Sequence, residues 1–336
     1  MENFYHWPIY QKALVVVLTS FILMLLIGRV GIKILRLLKI GQPIRYENFA
    51  TLSSLHASKK DTPTMGGIFF LAIFFILSFF LLDFHQSMSF IYLIGFLFLG
   101  LLGGYDDYRK LKGIPGQGIS SKTKFLLQGL IGVLILSTVF VFDRAVFEKF
   151  FCHFGLSTVG IFLSCLFFLF IFIGSSNAVN LTDGLDGLAA GNIAIVATAL
   201  LSIFFIKGSS FENYSQSFFL LCIMIGTSLG FLWYNQFPAQ VFMGDTGSLS
   251  LGGLLALVAF TMKKEWIFAL FGICFIGETL SVILQVASYR LRNKKKLFLC
   301  TPIHHHFQFL GMHETQIVVR FWLVSIIFCL IGLSLV

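Results

Sequence analysis

A chain of 336 residues, 57% of them hydrophobic and 12% charged, with a mean hydropathy of +0.90, carries too few charges to cover a water-soluble globule. The net charge of +9 comes from lysines and arginines gathered in short stretches beside apolar runs, which marks membrane topology and argues against a nucleic-acid partner. Six cysteines without metal-type or paired spacing exclude a disulfide-framed scaffold.

Crossing a bilayer as a helix takes about twenty mainly apolar residues. The chain is therefore expected to be all-α, a single membrane-embedded domain over residues 1–336 with about ten spans, near 11–36, 65–82, 90–107, 122–142, 157–176, 186–206, 216–234, 247–262, 266–290 and 317–336. The first run is followed, rather than preceded, by Arg29, Lys33, Arg36 and Lys39, the reverse of a secretory signal peptide, so it is read as a retained helix. By alternate loops, one side of the membrane receives 18 of the 24 lysines and arginines. The positive-inside rule makes that side cytoplasmic and puts both termini outside. Glu47, Asp61, Asp106, Asp107, Asp183, Asp186, Asp245 and Glu314 fall on the same side, several of them at span ends. They point to one composite, metal-dependent site at the cytoplasmic face of a multi-pass membrane protein.

Ahead of the second span, the stretch from His56 to Gly67 ends in Pro63, Gly66 and Gly67, residues suited to a helix entry with close backbone approach. Lys59 and Thr64 stand there where a phosphate would meet an ammonium, a hydroxyl and the positive end of a helix. At the end of the third span Asp106 and Asp107 are adjacent, so on a helix they diverge by about 100° and are expected to do different things. Lys110 follows at the spacing of an ordinary intrahelical ion pair. Two neighbouring carboxylates at a membrane boundary are costly enough to be read as functional, and Lys122 and Lys124 would offset the charge of a phosphorylated ligand.

Between two long apolar runs lies Asn177 to Gly187, with two asparagines, two aspartates and two glycines. If this segment is helical, Asp183 and Asp186 share one face with Asn180 a turn earlier, a surface for a divalent cation or a hydroxyl-rich ligand; Thr182 and Asp183 would equally serve as helix caps. After the seventh span comes Trp233 to Ser248, in which Asp245, flanked by Gly244 and Gly247, is either a cap or a metal-ligating carboxylate. Glu278 and Gln285, seven residues apart, lie on one face of the ninth span, where an ionisable group faces the protein interior. Three consecutive histidines, His304 to His306, point different ways and have no spaced fourth ligand, so they are read as binding substrate rather than zinc.

Asp106-Asp107, Asn177 to Gly187, Gly244-Asp-Thr-Gly-Ser-Leu249 and Pro302-Ile-His-His-His306, in this order and over essentially the whole chain, resemble the signature segments of the polyprenyl-phosphate N-acetylhexosamine-1-phosphate transferases. The triple histidine and Thr62-Pro-Thr-Met-Gly-Gly67 are similar to the branch of that superfamily, the phospho-N-acetylmuramoyl-pentapeptide transferases, that makes lipid I. The resemblance implies a Mg2+-dependent reaction of bacterial peptidoglycan synthesis at the inner membrane, in which undecaprenyl phosphate attacks the β-phosphate of UDP-MurNAc-pentapeptide and UMP leaves. It implies Asp106, Asp107, Asp245, His304 and His305 as catalytic residues, with Asp245 as metal ligand. It further implies Lys59, Thr64, Lys122, Asn180, Asp183, Asp186, Asn235, Phe242, Gln285 and His306 as substrate-binding residues. Membrane lipids surround such a protein, and a homodimer is compatible with it. Asp61 is a local departure, standing where the family pattern has glycine.

A phosphate monoester has a second pKa of about 6, so the acceptor lipid is largely dianionic and needs little from a general base. Asp107 could then deprotonate the remainder, or Asp106 or Asp107 could act as a covalent nucleophile in a two-step route; direct attack is preferred. One rival reading is the same chemistry on UDP-GlcNAc, against which the unbroken histidine triplet argues. A transporter would suit Glu278 in mid-membrane, but the one-sided acids and the lack of an internal repeat speak against it.

Overall fold

The computed structural model describes residues 7–38, 40, 59, 62–112, 118–207 and 211–336, and within them the regular elements are all helices. In chain order these are α1 (Ile9–Leu37), α2 (Gly67–Leu81), α3 (Ser87–Lys112), α4 (Ser121–Phe142), α5 (Arg144–Phe151), α6 (Thr158–Thr182), α7 (Leu188–Lys207), α8 (Phe211–Asn235), α9 (Gly244–Thr261), α10 (Glu265–Phe271), α11 (Ile273–Leu291), α12 (Ile303–Phe309) and α13 (Glu314–Ser334). Among the described residues, α1, α3, α4, α6, α7, α8 and α13 are long and apolar enough to cross a membrane, and the bent pair α10 and α11 makes an eighth if counted as one span. This is a polytopic all-helical membrane protein. Its lipid-compatible surface is plain on α1, where Leu14, Leu18, Ile22, Leu26 and Val30 form an exposed apolar stripe.

The segments expected as second and eighth spans are helices of a different kind. α2 has 15 residues, short for a bilayer, and α9 opens on Gly244-Asp-Thr-Gly-Ser. α9 is buried from Thr246 to Thr261 and packs against α3, α6 and α2, so protein rather than lipid surrounds it and its polar first turn is tolerated. Close approach is built into both contacts. A Cβ on Gly67 would stand 2.1 Å from the Gly247 nitrogen, and one on Gly103 would stand 2.1 Å from the Asp245 carbonyl oxygen.

Two expectations about element boundaries need correction. The span expected at 266–290 is broken at Gly272, where α10 and α11 meet at 80°. Glycine is a poor helix former, and Phe271 beside it is fully buried against Gly332 of α13, which holds the bend. The fifth span does not stop near residue 176 but continues to Thr182. Its polar residues are satisfied inside the protein: Ser176 donates to the Leu249 carbonyl, Asn177 to Gln128 Oε1, and Thr182 to the Ala178 carbonyl.

Polar contacts define two ends of the bundle. At one end Ser87 donates to Asp143 at 2.7 Å and His153 lies 2.7 Å from Glu265. At the other end the starts and ends of α2, α3, α4, α6, α8, α9 and α13 bring together Asp106, Asp107, Asp186, Asp245 and Glu314. One apolar core cluster runs between the ends, and a second, Leu185, Leu188, Ile317 and Val318, pins α13 to the turn that precedes α7.

Candidate active site

Asp106 and Asp107 stand near the end of α3 and Asp245 in the first turn of α9; one oxygen from each lies within 4.8 Å of the others. The helix runs on past the two adjacent aspartates to Lys112, so they do diverge. Both still reach Asp245 because the start of α9 lies directly on α3 at Gly103. Their partners differ accordingly. Asp106 accepts the Ile119 N–H at 2.5 Å on one oxygen and faces Lys110 at 2.5 Å and Lys124 at 2.9 Å with the other. Asp107 accepts the N–H groups of Asp245 and Thr246 at 3.1 and 3.0 Å and the Thr246 hydroxyl at 2.8 Å. It thus caps α9 from a neighbouring helix, satisfying donors that a helix start leaves free.

Asp245 faces Lys110 at 2.8 Å and Lys124 at 2.5 Å. Lys110 makes the expected intrahelical pair with Asp106, but it also bridges to Asp245 and so belongs to the cluster. Of the two lysines opening α4, Lys124 enters the cluster while Lys122 is exposed. Three carboxylates and two ammonium groups are thus drawn together where water is scarce, and removal of one partner from such a group costs on the order of 3 kcal/mol or more.

A second group forms beside the first. Lys59 donates to Asp186 at 2.6 Å and to both oxygens of Glu314 at 2.6 and 2.8 Å, and its ammonium lies 6.0 Å from each of the Phe237 and Phe242 rings. Asp186 also accepts the Ala239 N–H, and Asn235 accepts the Gly187 N–H while donating to the Val241 carbonyl. Thr64 is buried, its hydroxyl 3.1 Å from where a Gly244 Cβ would stand. Asp61 lies outside the described residues.

The shared helical face for Asp183 and Asp186 is not formed. α6 ends at Thr182, and the chain turns through Asp183 to Gly187, with Gly187 at φ +81°. Asp186 goes to Lys59, whereas Asp183 accepts a hydrogen bond from the Gly244 backbone. Asn180, on the last turn of α6, donates to Ser248 at 2.8 Å. Burial pushes the Asp183 carboxyl well above the ordinary carboxylate range, and the nearby charges of Asp245 and Asp107 add to that. Asp186 is also raised, chiefly by burial, with Lys59 opposing the shift and Glu314 adding to it.

The three histidines separate as the sequence suggested. His304 is fully buried, with Nδ1 3.1 Å from Oε1 of the equally buried Glu278, and its other face meets Gly184, where a Cβ would fall 2.2 Å from Nε2. His305 lies 2.7 Å from Gln308, and His306 accepts the Leu299 N–H at 3.2 Å. Gln285 spends its amide on the same loop, donating to the Phe298 carbonyl and accepting from the Leu297 and Phe298 N–H groups. Among the described residues the three aspartates are the grouping with metal-type spacing. Lys110 is a member that sequence reasoning set aside, and Glu314, counted there only among the acids of the cytoplasmic side, was given no role of its own. Lys110 looked like a local ion pair, and nothing in the sequence tied Glu314 to Lys59.

Residues 89–263 match glycosyl transferase family 4, and residues 59–71 match the phospho-N-acetylmuramoyl-pentapeptide-transferase signature 1. The chain is similar to a phospho-N-acetylmuramoyl-pentapeptide-transferase of Protochlamydia amoebophila, 38% identical over 96% of this chain and 92% of that protein. Proteins of the same name from Rickettsia prowazekii and Rickettsia massiliae are each 40% identical over 99% of this chain and 95% of their own length. The second match opens on Lys59 of the Lys59, Asp186 and Glu314 group, and the first spans all three clustered aspartates. With relatives aligned from end to end, the chain belongs to the phospho-N-acetylmuramoyl-pentapeptide-transferase family, enzymes that transfer a phosphosugar.

Proposed function

We propose that this enzyme transfers phospho-MurNAc-pentapeptide from UDP-MurNAc-pentapeptide to undecaprenyl phosphate, giving lipid I and UMP, with Mg2+ as cofactor. The observation that carries the reading is the meeting of Asp106, Asp107 and Asp245 with Lys110 and Lys124 at one end of a membrane bundle. Displacement at a diphosphate is mainly positioning and charge neutralisation, and this cluster supplies both.

The donor set suits Mg2+, which favours carboxylate oxygens, and the two ammonium groups drawn among the carboxylates mark a place where positive charge is strongly favoured. Asp245 would hold the ion, aided by Asp106. When bound, it would neutralise charge developing on the diphosphate oxygens. Asp107 is committed to the start of α9 and holds Asp245 in place. Lys110 and Lys124 are placed to receive phosphate oxygens. The Lys59, Thr64, Asp186, Asn235 and Phe242 region together with Asn180 and Asp183 would bind the nucleotide sugar, and the turn of His304 to His306, held by Gln285, its further portion. Direct attack by the acceptor phosphate is favoured, since the lone pairs of Asp107 are occupied by α9.

We also propose ten crossings within a single domain, α2 and α9 and the bent α10–α11 pair included, with both termini outside and the aspartate end in the cytoplasm of a bacterial inner membrane. The concentration of lysine and arginine in that end's loops supports it. Purified protein with Mg2+, undecaprenyl phosphate and UDP-MurNAc-pentapeptide should release UMP, and UDP-GlcNAc in its place should not. Turnover with UDP-GlcNAc alone would move the enzyme to the sister chemistry.

A further inference from the structure

We propose that Glu314 is a positioning residue of the transfer reaction, holding Lys59 and the turn that carries Asp186 in the places from which they meet the nucleotide sugar. The inference rests on the transfer reading. Glu314 is nearly buried and opens α13, where His313 accepts the Thr315 N–H as the helix cap. A carboxylate in a first helical turn is favoured by the helix dipole. The packing of Ile317 and Val318 on Leu185 and Leu188 fixes α13 against the Asp183–Gly187 turn, so the carboxylate arrives at a set position.

All its bonds there point to one purpose. Oε1 accepts from Lys59 Nζ at 2.6 Å and from the Asp186 N–H at 2.6 Å, while Oε2 accepts from the same ammonium at 2.8 Å. Lys59 is shared between two carboxylates and is 12% exposed, so it has no surplus charge and its direction is what matters. Without Glu314 the ammonium keeps Asp186 alone and a buried N–H loses its acceptor. Glu314 bonds to none of the three clustered aspartates, so its effect should fall on substrate binding rather than on the transfer step.

The test compares wild type, Glu314→Gln, Glu314→Asp, Lys59→Met and the double variant Lys59→Met with Glu314→Gln, in detergent with Mg2+ and both substrates. Glu314→Gln should raise KM for the nucleotide sugar about 10-fold with kcat within about 2-fold, because a binding contact is lost and not one made only in the transition state. Glu314→Asp should recover part of that loss. On the Lys59→Met background Glu314→Gln should add almost nothing, since two residues acting through one contact are not additive. Additive effects, a loss confined to kcat, or unchanged kinetics would overturn the proposal. A second readout needs no turnover: acetylation of Lys59 by acetic anhydride, followed by peptide mass spectrometry against the exposed Lys294, should be severalfold faster in Glu314→Gln. An unchanged Lys59 rate would also overturn it. If wild type releases no UMP, the transfer reading fails, and the acetylation rate alone decides whether Glu314 holds Lys59.

Discussion

Asp245 faces two lysines and Asp107 faces a helix start, and the difference predicts what each substitution removes. Asp245→Asn leaves the fold and membrane insertion in place but should lower kcat by about 1,000-fold or more, as expected when charge at a metal and phosphate site is lost. Near-normal UMP release across a Mg2+ titration would remove Asp245 from the metal site. The two lysines of α4 should separate in the same assay. Lys124→Met should lower kcat about 100-fold, whereas Lys122→Met, at an exposed residue of the first turn of α4, should change only KM, by about 3-fold. Asp183 makes a pH prediction. Its carboxyl is raised in the folded protein, so ionising it costs stability once pH exceeds the ordinary carboxylate value, and the cost grows until pH passes the raised value. Asp183→Asn should therefore raise the thermal midpoint, by roughly 2 °C or more at pH 8 and by less at pH 5. An equal change at both pH values would show that ionisation of Asp183 carries no such cost.

The element on which the site depends most is α9. Its first turn carries Asp245, takes its cap from Asp107 and touches backbone on two sides, at Gly67 and Gly103. Gly103→Ala puts a methyl group against the Asp245 carbonyl, and neither backbone can move aside cheaply; a loss of about 1–3 kcal/mol is expected from such overpacking. Because the displaced turn carries the cluster, turnover should fall together with the thermal midpoint. Gly174→Ala, inside α6 where a Cβ meets nothing within 4 Å, is the control: it should leave turnover unchanged and should not lower the thermal midpoint, since alanine is the better helix former. The bend between α10 and α11 works at the same scale. It lets α11 bring Glu278 to His304 and Gln285 to the Leu297–Phe298 backbone, so the histidine turn is held from a helix that a straight ninth span would place elsewhere.

At the scale of the whole molecule, the proposal requires the aspartate end to face the compartment that holds soluble nucleotide sugar. With native cysteines replaced, a cysteine at Lys294 should resist a membrane-impermeant thiol reagent in intact cells, and one at Leu156, exposed on the turn between α5 and α6, should react. Both reacting, or both resisting, would mean that the two turns lie on one side and that the alternation of spans is wrong.

Helix class and membrane residence were legible in the sequence because they follow from composition and run length, which are properties of neighbouring residues. Asp106, Asp107 and Asp245 were legible as well, since carboxylates at the ends of apolar runs are too costly to be incidental. What the chain order could not contain is which distant residues share a partner. Lys110 looked like a helical ion pair because its bridge to Asp245 spans α3 and α9, and Glu314 stood only as one of several acids on its side because Lys59 and Asp186 lie far from it in sequence. The Asp183 to Asp186 spacing suggested a shared helical face, but tertiary packing ended α6 at Thr182 and sent the two carboxylates to different neighbours. Apolar run length thus determined that the chain is helical and which acids stand at the run ends. Only the packed structure decided the pairings, because a buried charge takes its place from the opposite charge nearest in space, and proximity in space is set by how α3, α9 and α13 meet.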